Sequence, residues 1–299
     1  MIVLTSYGDE SGNHRGIVTL DIDTGELSCL RLNGKCNMVI QTEKGLIASI
    51  QEKEGNKLAL FSNNGELVSE RNCEYFYSYG KLDGDNLLLA SFESGVDSVY
   101  SLKDKTFKHN RHKCKGSSGN GRSHYINRIN GRIVSVDNAY QQLYVYADDT
   151  LGSYQTVNFE NINIRLMAFP DSQREAYLNS EKSNEVIVLD TYNYEIKKRI
   201  SLADSRSCAS GIAASDSGNT IYICIRGENR LYAIDNTGVH LKIKCSVNTG
   251  DIPRDLFCCQ GSIFVTCTGS NRVERYDMES LAFQEQFAID RPVTFAIKN

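Results

Sequence analysis

One motif recurs along this chain every 41 to 45 residues, a short strand-forming run that ends in a largely apolar quartet. The seven copies are Ile17-Val-Thr-Leu20, Leu58-Ala-Leu-Phe61, Val99-Tyr-Ser-Leu102, Leu143-Tyr-Val-Tyr146, Val186-Ile-Val-Leu189, Leu231-Tyr-Ala-Ile234 and Val273-Glu-Arg-Tyr276. A period of this length, with several strand-like runs per unit, marks a β-propeller, in which each unit buries its faces against its neighbours. The expected fold is therefore all-β: a seven-bladed β-propeller of four-stranded antiparallel blades, forming a single domain over residues 1–299.

Each unit repeats one order: inner strand, tight polar turn, second strand, loop, quartet strand, turn, outer strand. The sixth shows it in Ala209–Ala214, the turn Ser215-Asp-Ser-Gly-Asn219, Thr220–Cys224, the loop Ile225–Asn229, the quartet, the turn Asp235-Asn-Thr-Gly238 and Val239–Lys244. Gly, Asn and Asp tolerate the positive φ that such hairpin turns need. The two chain ends are complementary. Ile2-Val-Leu-Thr5 reads as a second strand with no inner strand ahead of it, and Pro292–Ile297 reads as an inner strand with nothing after it. The C-terminal strand is thus expected to complete the first blade, which removes an open edge. Pro253 and Pro292 stand where inner strands begin, a place that tolerates a missing backbone donor.

Composition narrows the function. A formal net charge of -4 and a pI near 5.8 leave no electrostatic footprint for nucleic acid or an anionic membrane. No apolar run approaches the roughly 20 residues of a membrane span, and the opening residues do not read as a signal peptide, so a cytoplasmic location is expected. The ten cysteines are scattered without a C-x-x-C pair, which reads as buried free thiols rather than a disulfide scaffold or a zinc site. The cluster His109-Asn-Arg-His112-Lys-Cys114, set among basic residues, reads as a solvated loop. No metal and no cofactor are expected.

In a propeller the start of each inner strand and the loop after each second strand lie at the same mouth of the central channel. That rule gathers His124, Arg165 and Arg254 from strand starts, and Asp137, Glu181 and Arg226 from the loops. Imidazole and carboxylate can serve as general acid or base, and guanidinium can hold an anion or a developing oxyanion. The basic stretch from Lys103 to Arg122 leads into His124 and would attract an anion.

These residues also carry a resemblance. Thr5-Ser-Tyr7, Arg15-Gly-Ile-Val18, Asp23-Thr-Gly-Glu-Leu27, Val136-Asp137 with Leu143–Tyr146, Arg165 with Phe169-Pro-Asp171 and Glu181, Arg226-Gly227 and Pro253-Arg-Asp255 resemble, nearly end to end, the seven-bladed lactonase family. That family includes the propeller-type 6-phosphogluconolactonases and the carboxy-muconate lactonizing enzyme. The resemblance implies metal-independent hydrolysis of a sugar lactone, such as 6-phosphogluconolactone, with His124, Arg165, Glu181 and Arg226 catalytic and Arg254 and Asp137 at recurrent family positions that would bind substrate; Arg122, which ends the basic stretch, is expected to bind substrate as well. The implied partner is a small anionic sugar lactone or carboxylate. The chain departs from the family pattern at Gly121, Arg122, Leu166, Ser180 and Ile225. Two other readings stay open: a muconate-type lactonizing cycloisomerase, and a non-catalytic propeller that binds an anionic ligand or a protein on its rim.

Overall fold

The computed structural model describes residues 1–9, 15–113, 121–202 and 207–298. It contains seven antiparallel sheets of four strands each, one per repeat, with a fifth short strand added to the second sheet. Every quartet falls on the third strand of its sheet, Leu102 alone standing one residue past its end: Gly16–Leu20, Gly55–Phe61, Val96–Ser101, Gln142–Tyr146, Glu185–Asp190, Arg230–Asp235 and Arg272–Asp277. The C-terminal segment Pro292–Phe295 lies beside Ile2–Ser6 as the fourth strand of the first sheet, as expected. The chain then runs on, and Ile297–Lys298 pairs in parallel with the inner strand Lys35–Thr42 of the second sheet.

The chain divides into two compact units. One comprises 1–158 with 294–299 and holds the first four sheets; the other, 159–293, holds the last three. Within each unit alternation decides packing. In Thr220–Ile225, residues Ile221, Ile223 and Ile225 face Tyr177, Val186 and Val188 of the fifth sheet, while Tyr222 and Cys224 face Leu256, Ile263 and Val265 of the seventh. In the other unit Leu87 and Leu89 pack on the second sheet, and Leu88 and Ala90 on the fourth. A strand buried on both faces favours apolar residues at nearly every position, which is why second strands read as near-continuous hydrophobic runs. Burying one such side chain contributes about 1.5–3 kcal/mol.

The third-to-fourth-strand hairpins share one device. Asp21, Asp190 and Asp277 each accept backbone N–H groups two and three residues on. Their own carbonyls then accept from Gly25, Tyr194 and Leu281, which sit at positive φ. Those donated bonds hold the Asp21 and Asp190 carboxyls below the ordinary range, and at Asp277 the Ser280 hydroxyl lowers the carboxyl first, with the backbone bonds adding to it.

Two expectations need correcting. The nine cysteines among the described residues are free, but of these only Cys36, Cys224 and Cys267 are buried, and Cys29 is exposed. His109 does not sit in a solvated loop: it belongs to the strand Phe107–Arg111, and His112 just beyond it is fully buried. Cys114 lies outside the described residues, as does the part of the basic stretch from 114 to 120.

Candidate active site

The residues singled out from the sequence are placed by a backbone irregularity that repeats. In five inner strands the register slips near the start, leaving one extra residue against the second strand. The residues skipped are Asn37, His124, Arg165 with Leu166, Ser210 with Gly211, and Arg254. Such β-bulges bend the strand and re-aim a side chain. The three strand-start candidates of the mouth rule, His124, Arg165 and Arg254, are thus all bulge residues, whereas Arg122 precedes its strand.

The sequence also supplies what pins the bulges. Near the end of the second strand a polar or sulfur side chain interrupts the apolar run and takes up the backbone N–H freed by the slip. Asn179 Oδ1 accepts from Leu166 N (2.8 Å), Cys224 Sγ from Gly211 N (3.2 Å) and Thr266 Oγ1 from Asp255 N (3.0 Å). Asn179 Nδ2 then donates to the Ser210 carbonyl of the next sheet at 2.8 Å, and Ser210 Oγ donates to the Pro253 carbonyl at 2.7 Å. A further bond closes each end: the residue after the second strand donates to the carbonyl ahead of the inner strand, as Glu181 N does to Asn163, Arg226 N to Cys208, Thr268 N to Ile252 and Asn138 N to Arg122. Glu181 and Arg226 are therefore structural equivalents.

In the unit 159–293 this frame brings four side chains into contact. Arg165 Nη1 lies 3.3 Å from Glu181 Oε1, with 14% and 26% of their side chains exposed. Cys208 Sγ lies 3.2 Å from the same Oε1, and Arg226 Nη2 lies 3.3 Å from that sulfur. Arg254 adds its field. Burial lowers the Arg165 pKa; Glu181 supports its charge, but Arg254 and Arg226 oppose it, and the balance falls below the ordinary arginine value. Guanidiniums crowded this way favour an anion, which relieves their repulsion. Cys208 was not singled out from the sequence, where a lone Cys after a Ser carries no signal.

His124 and Arg122 belong to the other unit. The His124 ring packs 4.2 Å from Phe92, and the Arg122 guanidinium lies 5.2 Å from the same ring. Asp137 stands differently from the expectation. It is the last residue of Arg132–Asp137, not part of the loop, and it is fully buried; Asn138 is the counterpart of Glu181. Its carboxylate takes His112 Nδ1 at 2.8 Å and the N–H groups of Arg122 (3.2 Å) and Tyr140 (2.9 Å), so it is engaged from inside rather than presented to a substrate.

His112 completes a buried clasp. Its Nε2 lies 2.6 Å from Asp97 Oδ2, Ser135 Oγ donates to the other Asp97 oxygen at 2.8 Å, and Tyr144 stacks on the imidazole at 4.0 Å. Burial opposes a charged ring, but the two aspartates outweigh it and lift His112 to about 9. A Cβ on Gly121 would fall 2.2 Å from Asp137 Oδ2 and 2.4 Å from His112 Cβ, so only glycine fits beside the clasp. The clasp thereby fixes the entry to the strand that carries His124. Among the described residues no group of three or more His, Cys, Asp or Glu could hold a metal ion, and no helix is long and apolar enough to cross a membrane.

Comparison with known proteins agrees with this architecture. The family model described as Lactonase, 7-bladed beta-propeller matches residues 2–284. No curated protein matches the chain. Among solved structures, a protein from Lactobacillus plantarum superposes with a TM-score of 0.83 at 18% identity, covering 99% of this chain and 98% of that one. A candidate 6-phosphogluconolactonase from Bacteroides uniformis gives 0.81 at 17% identity, covering 98% of each. The periplasmic gluconolactonase of Pseudomonas aeruginosa gives 0.79 at 16% identity, again covering 98% of each.

Proposed function

Since the chain belongs to the seven-bladed β-propeller lactonase family, we propose that it hydrolyses a sugar lactone, one that carries a negative charge, such as 6-phosphogluconolactone. The observation that carries this reading is the contact chain Arg165–Glu181–Cys208–Arg226 with Arg254 in its field. It combines a carboxylate base with guanidiniums suited to an oxyanion and an anionic tail.

In the proposed reaction Glu181 takes a proton from water as the oxygen attacks the ring carbonyl. Arg226 and Arg165 stabilise the charge that develops on the carbonyl oxygen. The bond from carbonyl carbon to ring oxygen then breaks, Glu181 returns its proton to the departing oxygen, and the product acid releases one proton to solvent. Arg254 holds the anionic substituent. Sugar lactones already open slowly in water, so a base and two cations lower the barrier enough. Nine free thiols among the described residues suit a reducing compartment, and we place the protein in the cytoplasm, in carbohydrate metabolism.

The test is a panel of phosphorylated and unphosphorylated sugar lactones followed by a pH indicator, with His124→Ala alongside to read the role that the resemblance gives to His124. Opening of no lactone faster than buffer would end the proposal.

A further inference from the structure

We propose that Cys208 is a positioning residue of this site, its sulfhydryl tying the Arg226 guanidinium to the Glu181 carboxylate so that groups from two adjacent sheets act together. The inference rests on the lactone-opening reading above for its catalytic consequence, and on geometry for the tie itself.

Hydrogen-bond polarity fixes the sulfur's state. Guanidinium can only donate, so at 3.3 Å from Arg226 Nη2 the sulfur accepts; an ionised carboxylate can only accept, so at 3.2 Å from Glu181 Oε1 the sulfur donates. The assignment that satisfies both contacts puts a proton on sulfur and runs from Arg226 through Cys208 to Glu181, where Arg165 Nη1 meets the same oxygen. A thiolate would face Glu181 charge to charge. Burial and the neighbouring carboxylate accordingly push the Cys208 thiol up. The residue also grips Arg226 twice, because its carbonyl accepts the Arg226 N–H at 2.8 Å. In the neighbouring sheets Asn163 and Ile252 hold the equivalent place, so a sulfur here is a feature of this sheet rather than of the repeat.

Two measurements test it. The first needs no turnover: iodoacetamide labelling of Cys208 at pH 8, read by peptide mass spectrometry, where thiolate displaces iodide and the proton passes to buffer. Replacing Glu181 by the near-isosteric Gln removes the anion that holds the thiol protonated. Cys208 should then label several-fold faster, while exposed Cys29 in the same sample keeps its rate. Equal Cys208 rates in wild type and Glu181→Gln would overturn the inference.

The second measurement is made on the lactone that wild type opens fastest. Cys208→Ala should lower kcat about tenfold with KM little changed, since the tie serves groups that act in the transition state. Cys208→Ser, which keeps donor and acceptor, should recover part of that loss, and a wild-type kcat in Cys208→Ala would again overturn the inference. If wild type opens no lactone the functional proposal fails, and the labelling result alone decides the tie.

Discussion

Arg165 Nη1 and Glu181 Oε1 stand 3.3 Å apart across the bulge at the head of the fifth sheet. A tight charge-assisted bond measures about 2.7–2.9 Å, and Glu181 keeps 26% of its side chain exposed. The pair is thus in contact without being sealed, and an anion that engaged Arg165 would leave Glu181 to act on water. Arg226→Ala should therefore reduce kcat/KM for the preferred lactone by about 100-fold or more, the cost of losing an oxyanion donor. Melting temperature should change little. Steady-state kinetics beside a thermal scan checks both halves.

The clasp around His112 gives a pH dependence whose sign follows from its shift. An unfolded histidine titrates near 6.5, and the folded one is raised to about 9. A raised folded value means that the stabilisation is fully present below about pH 6.5 and is lost as pH rises through about 9. Between pH 6.5 and 10 wild type should lose more melting temperature than His112→Gln, which has no charge to lose. Parallel slopes for the two proteins over that window would show that the imidazolium contributes nothing.

Gly121 tests the same region sterically. Gly121→Ala must push its new methyl group against Asp137 and the His112 side chain, at distances no Cβ tolerates. Overpacking of this kind costs about 1–3 kcal/mol. Chemical denaturation should register that loss, whereas Gly131→Ala, which meets nothing within 4 Å, should cost only the strain of its positive φ.

Asn179 is the residue whose loss separates bulge from sheet. Removing its side chain leaves the part-buried Leu166 N and the buried Ser210 carbonyl without these partners. Each such orphaned group costs about 1–3 kcal/mol. Asn179→Ala should lower stability by that order and also weaken lactone turnover, because Arg165 sits in the bulge that Asn179 pins. Asn179→Asp keeps the acceptor for Leu166 N and should restore more turnover than stability.

Most of the frame was legible because burial on both faces forces a period. Each quartet marks a third strand, and Ile2 and Pro292 complement one another as strands that lack partners. Arg165, Glu181 and Arg226 were legible as neighbours because strand order alone assigns their ends. The bulges were not, since a one-residue slip leaves no mark in a hydrophobic pattern; polar residues in apolar second strands, such as Asn179 and Thr266, were their only trace. His112 was misread because Lys108, Arg111 and Lys113 around it suggest solvent, while its partners Asp97 and Asp137 lie 15 and 25 residues away. Asp137 was placed one residue too late, and that single step turns a presented carboxylate into a buried one.

Under the proposed reaction Glu181 is the base through which water opens the lactone ring. The measurement that tests it most directly is the initial rate of acid release from the best lactone of the panel by wild type and by Glu181→Gln, both shown folded by thermal scan. Wild type should show a clear rate and the variant a loss of about 100-fold or more. Equal rates for the two proteins would contradict it.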